Sequence, residues 1–189
     1  MLPAKSPTLF VNRLLATLPS KDHQYVIANC EPVELRLSER ISEPGEWIHH
    51  VYFPTDSFVS LVTPPDNHAG LEVGLVGNEG MIGTPLVLGV DVTLLRTFVQ
   101  GAGPAWCMTP ERFRDALRHS SALQATVNRY LYVLMVQLAQ MVVCTRFHVV
   151  EARLARWLLM TQDRAHSDHF HVTHEFLAFM LGVRRVGVT

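Results

Sequence analysis

With 189 residues, a formal charge of -1, 48% hydrophobic and 17% charged side chains, the chain has the material for a real core, which excludes a disordered or collagen-like polymer. Sixteen basic against seventeen acidic side chains leave no overall field to attract nucleic acid or a membrane, so either partner would need a local patch. Cys30, Cys107 and Cys144 lie far apart without a C-x-x-C pair, which argues against a disulfide framework or a cysteine-built metal or iron-sulfur cluster and suits a reducing, cytoplasmic setting. Residues 1–20 lack the basic start, apolar stretch and small-residue cleavage site of a secretory signal.

Punctuation divides the chain. All eleven prolines, Pro3 through Pro110, and nine of eleven glycines precede residue 111, whereas the remainder holds only Gly182 and Gly187. Proline ends helices and glycine serves tight turns, so the first part is expected to be turn-rich and the second helical. A helical piece over 12–29 opens the chain. Short alternating stretches follow, such as Val33-Glu34-Leu35-Arg36-Leu37 and Phe58-Val59-Ser60-Leu61-Val62, separated by Pro44-Gly45 and Pro64-Pro65-Asp66-Asn67. Strands recurring about every ten residues with no room for crossover helices predict an α+β chain whose residues 1–119 form an antiparallel β-roll with its N-terminal helix.

Residues 120–149 predict a long helix. Val127, Leu131, Leu134, Leu138, Met141, Thr145 and His148 recur at alternating steps of four and three, a heptad stripe that predicts a homodimer seam. Packing of the helix on its own domain is the alternative, and Tyr130, Tyr132, Val133, Met135 and Val136 around the rest of it suggest contact with both a partner and the roll. The apolar run 130–144 is interrupted by Gln137 and Gln140, and a membrane span needs roughly 20 apolar residues, so no membrane is expected.

A third region, 150–189, begins with a helix to about residue 162 that places Leu154, Leu158 and Leu159 on one side and Arg153, Arg156 and Arg164 elsewhere, as solvated arginines. His166, His169, His171 and His174 straddle the following connector. Imidazoles at such spacing can share an ion, but without a matching cysteine or acidic cluster a solvated linker is expected and no metal. Thr173 is placed to cap a new helix with Glu175 in its first turn. Ala178 is a small contact, Gly182 a turn, and Arg184 and Arg185 begin a second helix, the pattern of a helix-turn-helix whose arginines reach phosphates and base edges. An αα-corner with solvated arginines remains the alternative. Residues 1–145 carry net charge -3 and residues 146–189 net +2, so the positive excess lies at this end.

The order of roll, long helix, short helix and helix-turn-helix resembles the Crp/Fnr superfamily of transcription regulators over residues 33–189. The strings that carry the resemblance are Glu43-Pro44-Gly45-Glu46, Val51-Tyr52-Phe53-Pro54 with Val59-Ser60-Leu61, Gly80-Met81-Ile82-Gly83, Arg153-Leu154-Ala155-Arg156-Trp157-Leu158 and the terminal segment from Thr173. The resemblance implies a cyclic-nucleotide-binding-like, cupin-like roll, a homodimer and a winged helix-turn-helix on two operator half-sites about one helical turn apart, with RNA polymerase a plausible further partner. By position, Arg185 would read bases, Arg184 would contact a phosphate, Thr173 would cap the first helix of the motif, and Thr173 and Thr189 would complete the DNA-binding set. Counted from Arg184 the chain covers six residues of the recognition helix, so the family pattern implies a partial DNA-binding unit without its wing, and DNA binding is expected of the full-length form.

The effector pocket implied by the resemblance uses Gly80, Met81, Ile82, Gly83, Arg96 and Thr97. Met81 stands where cyclic-nucleotide binders of the family carry a ribose-binding glutamate, and strand matching moves Arg96 off the phosphate position, so a small-molecule effector other than cyclic AMP is expected. Dispersed cysteines argue against an iron-sulfur sensor. Lone histidines, His49, His50 and His68, do not make a haem site, so no cofactor is expected. His49 and His50, being adjacent, are expected on opposite strand faces, unlike the H-x-H pair of cupin-type enzymes; with no nucleophile elbow, phosphate loop or H-E-x-x-H, the chain is not expected to be an enzyme. A stand-alone ligand-sensing or protein-interaction roll is the competing reading.

Overall fold

The computed structural model describes residues 11–63, 70–167, 169–170 and 172–188. The helical piece at the start is two helices, α1 (Arg13–Ala16) and α2 (Ser20–Ala28), because Pro19 interrupts it. Asn12 caps α1 by accepting from the Leu15 N–H, and its amide donates to the carbonyls of Pro54 and Gly80, so one buried side chain ties the N-terminus to two turns of the roll.

Seven strands make the roll: β1 (Glu31–Leu35), β2 (Arg40–Ser42), β3 (Val51–Pro54), β4 (Phe58–Thr63), β5 (Leu71–Val76), β6 (Arg96–Gly101) and β7 (Gly103–Met108). They form two antiparallel sheets, ordered β1-β7-β3 and β2-β6-β4-β5. Irregularities in the register of β4 with both β5 and β6 bend the second sheet. The alternation legible in the sequence is the pleat itself: along β4, Val59 and Leu61 face the roll interior while Val62 faces out beneath the C-terminal helices.

After β7, α3 (Pro110–His119) is capped by Thr109, and Ser120 then caps α4 (Ser121–Phe147). Leu123, Val127 and Tyr130 of α4 are fully or nearly buried in a core with Phe53, Met81, Met108, Phe113 and the N-terminal helices. α5 (Val150–Ala165) and α6 (His174–Leu181) fold back over the outer face of β4, β5 and β6. Val62, Trp157, Leu177, Met180 and Leu181 form the core between them. Edge-on contacts of Trp157 with Phe170 and Phe176, and of Phe176 with Phe98, join α5, the connector, α6 and β6 with ring centroids 6.2 to 6.4 Å apart.

Candidate DNA-reading end and effector cavity

The C-terminal motif is built largely from local signals. Thr173 Oγ1 accepts the Phe176 N–H, fixing the start of α6. Gly182 ends it at φ +62, a left-handed conformation that favours glycine, and Val183 N–H returns to the Ala178 carbonyl. The Arg153 guanidinium donates to the Leu181 carbonyl in the last turn of α6. Arg184 follows in extended conformation, and Arg185–Gly187 form one 3-10 turn rather than the start of a regular α-helix. Val186, Gly187 and Val188 are weak helix formers, which accounts for the tighter turn. Arg184 and Arg185 are both exposed, on the side of the motif away from the Leu177, Met180 and Leu181 core. Thr189 lies outside the described residues.

The arginines of α5 are not solvated as expected. Arg164, whose side chain is only 9% exposed, pairs with Glu79 at 2.5 and 2.9 Å, and its Nη1 donates to the Met160 carbonyl. Arg153 and Arg156 line a small cleft with Glu72, Met141, Cys144 and Trp157. Glu72 is buried, with Oε2 lacking a hydrogen-bond partner, and burial pushes its carboxyl up to about 7 despite the opposing pull of Ser60, Trp157, Arg164 and Arg156. Leu159, expected on the apolar side, is exposed. One face of α5 looks inward through its arginines because the roll supplies carboxylates there, which helical periodicity does not encode.

Inside the roll lies an open cavity of about 350 Å³. Met81, Ile82, Gly83 and Thr97 of the expected pocket line it, together with Ile41, Trp47, Ile48, Tyr52, Leu61, Val92 and Leu131. Two expected residues do not. Arg96 is turned to Glu43, with Nε at 3.0 and 2.9 Å from the two carboxylate oxygens. Gly80 is packed under Tyr130: a Cβ there would sit 2.1 Å from the phenol oxygen, so the glycine serves close packing of α4 on the roll. His49 and His50 both line the cavity mouth, contrary to the opposite-face expectation, because they precede β3 in irregular chain. His68 and His171 lie outside the described residues, and among those described no three His, Cys, Asp or Glu side chains could hold a metal ion.

The cavity and the C-terminal motif share a wall. On β4, Leu61 lines the cavity and Val62 packs in the core with Leu177, Met180 and Leu181; on β6, Thr97 lines the cavity and Phe98 meets Phe176 of α6. Neighbouring residues on a strand point to opposite faces, so two strands separate the two sites by one sheet thickness.

Most of the α4 residues expected in a dimer seam are engaged within their own chain. Val127 is wholly buried in its own chain, Leu134 packs against the same core, Leu131 lines the roll cavity, and Met141 lines the cleft beside Glu72. The face left open carries Tyr132, Met135, Val136, Val142 and Val143, between 43% and 70% exposed, with Leu138 at its border. Asn128, Tyr132, Met135, Ala139, Val142 and Arg146 repeat the heptad one residue further on, a rotation of about 100°. Both sides of the helix are apolar, so the period fits either stripe, and packing of Leu123, Val127 and Tyr130 decides between them. By length and composition alone α4 could cross a membrane; Leu123, Val127 and Tyr130 in its first ten residues are instead buried in the protein core.

No family model and no curated protein sequence matches the chain. Among solved structures, it is similar to the c-di-GMP-responsive global regulator CLP from Xanthomonas campestris, at 15% identity and TM-score 0.73, covering 90% of this chain and 88% of that one. A crp/fnr-family regulator from Eubacterium rectale aligns at 12% identity and TM-score 0.74, covering 93% and 82%. The regulatory domain of Toxoplasma gondii PKA, solved with cAMP, aligns at 16% identity and TM-score 0.51 over 61% of this chain and 46% of that one. The chain therefore has the fold of the Crp/Fnr regulators: a cyclic-nucleotide-binding-like β-roll followed by a long helix and a helical C-terminal segment.

Proposed function

We propose that the protein is a cytoplasmic, homodimeric transcription regulator in which the roll senses a small molecule and the end carrying Arg184 and Arg185 reads a two-fold-related operator. One observation carries this reading: α6, capped by Thr173 and turned by Gly182, leads to two exposed arginines on a unit packed against the outer face of the sheet whose inner face lines the sensor cavity. A tight helix-to-helix turn ending in exposed guanidinium groups suits the major groove, where an arginine fork matches guanine O6 and N7. RNA polymerase is the natural further partner of such an activator or repressor.

A mobility shift of the full-length gene product on DNA upstream of its own gene tests the reading. Specific, steeply salt-dependent retardation is expected; equal, weak retention of all duplexes would favour a stand-alone sensing module. Arg185→Ala in that protein is expected to cost about 1–3 kcal/mol and to relax preference at one position of each half-site, measured by binding-site selection. An unchanged selected motif would remove Arg185 from the reading role.

Within this scheme the Glu79–Arg164 pair clasps α5 to the roll beside the shared sheet. Glu79→Gln leaves a nearly buried guanidinium without its carboxylate, which costs more than the pair gains. Hydrogen exchange of the α6 amides from Leu177 to Leu181 is then expected to rise by about tenfold or more, with β3 and β7 unchanged; an unaltered α6 would show that the clasp does not hold the motif.

A further inference from the structure

Resting on the reading of the roll as a sensor, we infer that its effector is an uncharged, largely apolar small molecule rather than a nucleotide or other anion. Among the residues that line the cavity there is no Arg, Lys, Asp or Glu. Arg96, the guanidinium expected in the pocket, is held by both oxygens of Glu43. His49 and His50 stand exposed at the mouth, and a phosphate or carboxylate moved past them into the apolar wall would be desolvated with no permanent counter-ion to offset the loss.

The backbone points the same way. The turn after Gly83 is a short 3-10 helix, Thr84–Leu88, in which Pro85 has no N–H and the Leu86 N–H is already given to the Gly83 carbonyl. Two of the backbone positions that could cradle an anion, Pro85 and Leu86, thus have no free donor where the chain passes the cavity. Met81, the residue in the middle of that turn's approach, is 1% exposed and belongs to the hydrophobic core.

What remains is a concave, predominantly aliphatic wall formed by Ile41, Ile48, Leu61, Ile82, Val92 and Leu95, with Trp47 at the rim and uncharged hydroxyls, those of Tyr52 and Thr97 among them, as polar handles. Its volume falls in the range of small-molecule sites, in which apolar walls supply affinity and a few polar atoms fix orientation. An alcohol, ketone, phenol or neutral lactone fits this chemistry.

The test uses the neutral fluorophore N-phenyl-1-naphthylamine on the full chain, with decan-1-ol, decanoate and cyclic AMP as competitors. Binding of the fluorophore in the micromolar range is expected, with displacement by decan-1-ol at about tenfold lower concentration than by decanoate and none by cyclic AMP. Val92→Arg, which alters only the roll cavity, is expected to weaken fluorophore binding by about tenfold and to bring decanoate level with the alcohol. Met135→Glu, which alters an adjoining apolar pocket of about 440 Å³ between α4 and β5 and not the roll cavity itself, is expected to leave binding unchanged. Preferential displacement by decanoate or cyclic AMP overturns the inference, as does loss of binding in Met135→Glu but not in Val92→Arg. DNA retention measured on the same preparation separates this failure from failure of the regulator reading: an anion-selective cavity with operator binding intact overturns only the effector class.

Discussion

Replacing Met135 and Val142 together by glutamate is expected to convert a dimer into a monomer that folds normally and no longer binds an operator. Both side chains are exposed in the single chain, at 59% and 70%, so the substitution removes nothing from its core. In a two-fold seam each would meet its counterpart, placing four like charges in a desolvated apolar strip. Self-association is expected to weaken by on the order of 100-fold or more, read by analytical ultracentrifugation, with far-ultraviolet circular dichroism unchanged. Operator binding falls with it because two half-sites must be held at once. A double variant that stays dimeric would move the interface elsewhere. Leu134→Glu is a different experiment: Leu134 packs against the roll core, so the charge is expected to lower stability before it affects assembly.

Glu72→Gln is expected to flatten the pH dependence of stability between about pH 5 and 8. In the folded chain the carboxyl titrates near 7, against an ordinary value of 4.5, because burial disfavours its charge. The folded state therefore holds a proton that the unfolded state has released, and stability falls as pH rises through this interval, by roughly 3 kcal/mol if the full shift is realised. Arg156 and Arg164 from α5 oppose the effect, the Arg153 side chain and Cys144 from α4 complete the cleft, and Ser60 from β4 and Trp157 favour the ionised form. Glutamine keeps the shape and removes the titration. Denaturant midpoints at pH 5 and pH 8 should converge in the variant, with the gain appearing at pH 8; an identical slope in both proteins would locate the titration elsewhere. Since Glu72 lies beneath α5 and beside Met180 and Leu181, its ionisation also bears on how firmly the C-terminal motif sits on the roll.

Local signals in the sequence carried most of the architecture. Alternation marked β4 and its relatives, Thr173 marked a helix start, and Gly182 marked the left-handed turn, because capping and turn chemistry act within a few residues. Properties set by distant packing were not legible. The heptad of α4 fits two neighbouring stripes equally, and only the core around Phe53 and Tyr130 selects which one turns inward. The arginines of α5 look like a solvated face until Glu79 and Glu72, some 80 residues earlier, are brought against them. Arg96 was separable from the pocket only once Glu43 was seen to hold it. Trp47, Val92 and Leu95, which shape the cavity, carry no local motif at all.

The most direct test of the account is binding-site selection from a random duplex pool with the full-length gene product, followed by the mass of the retained complex. A two-fold motif with half-site centres about one helical turn apart, bound by two copies of the protein, is the predicted result. Absence of any enriched motif, or an asymmetric site bound by a single copy, would contradict it.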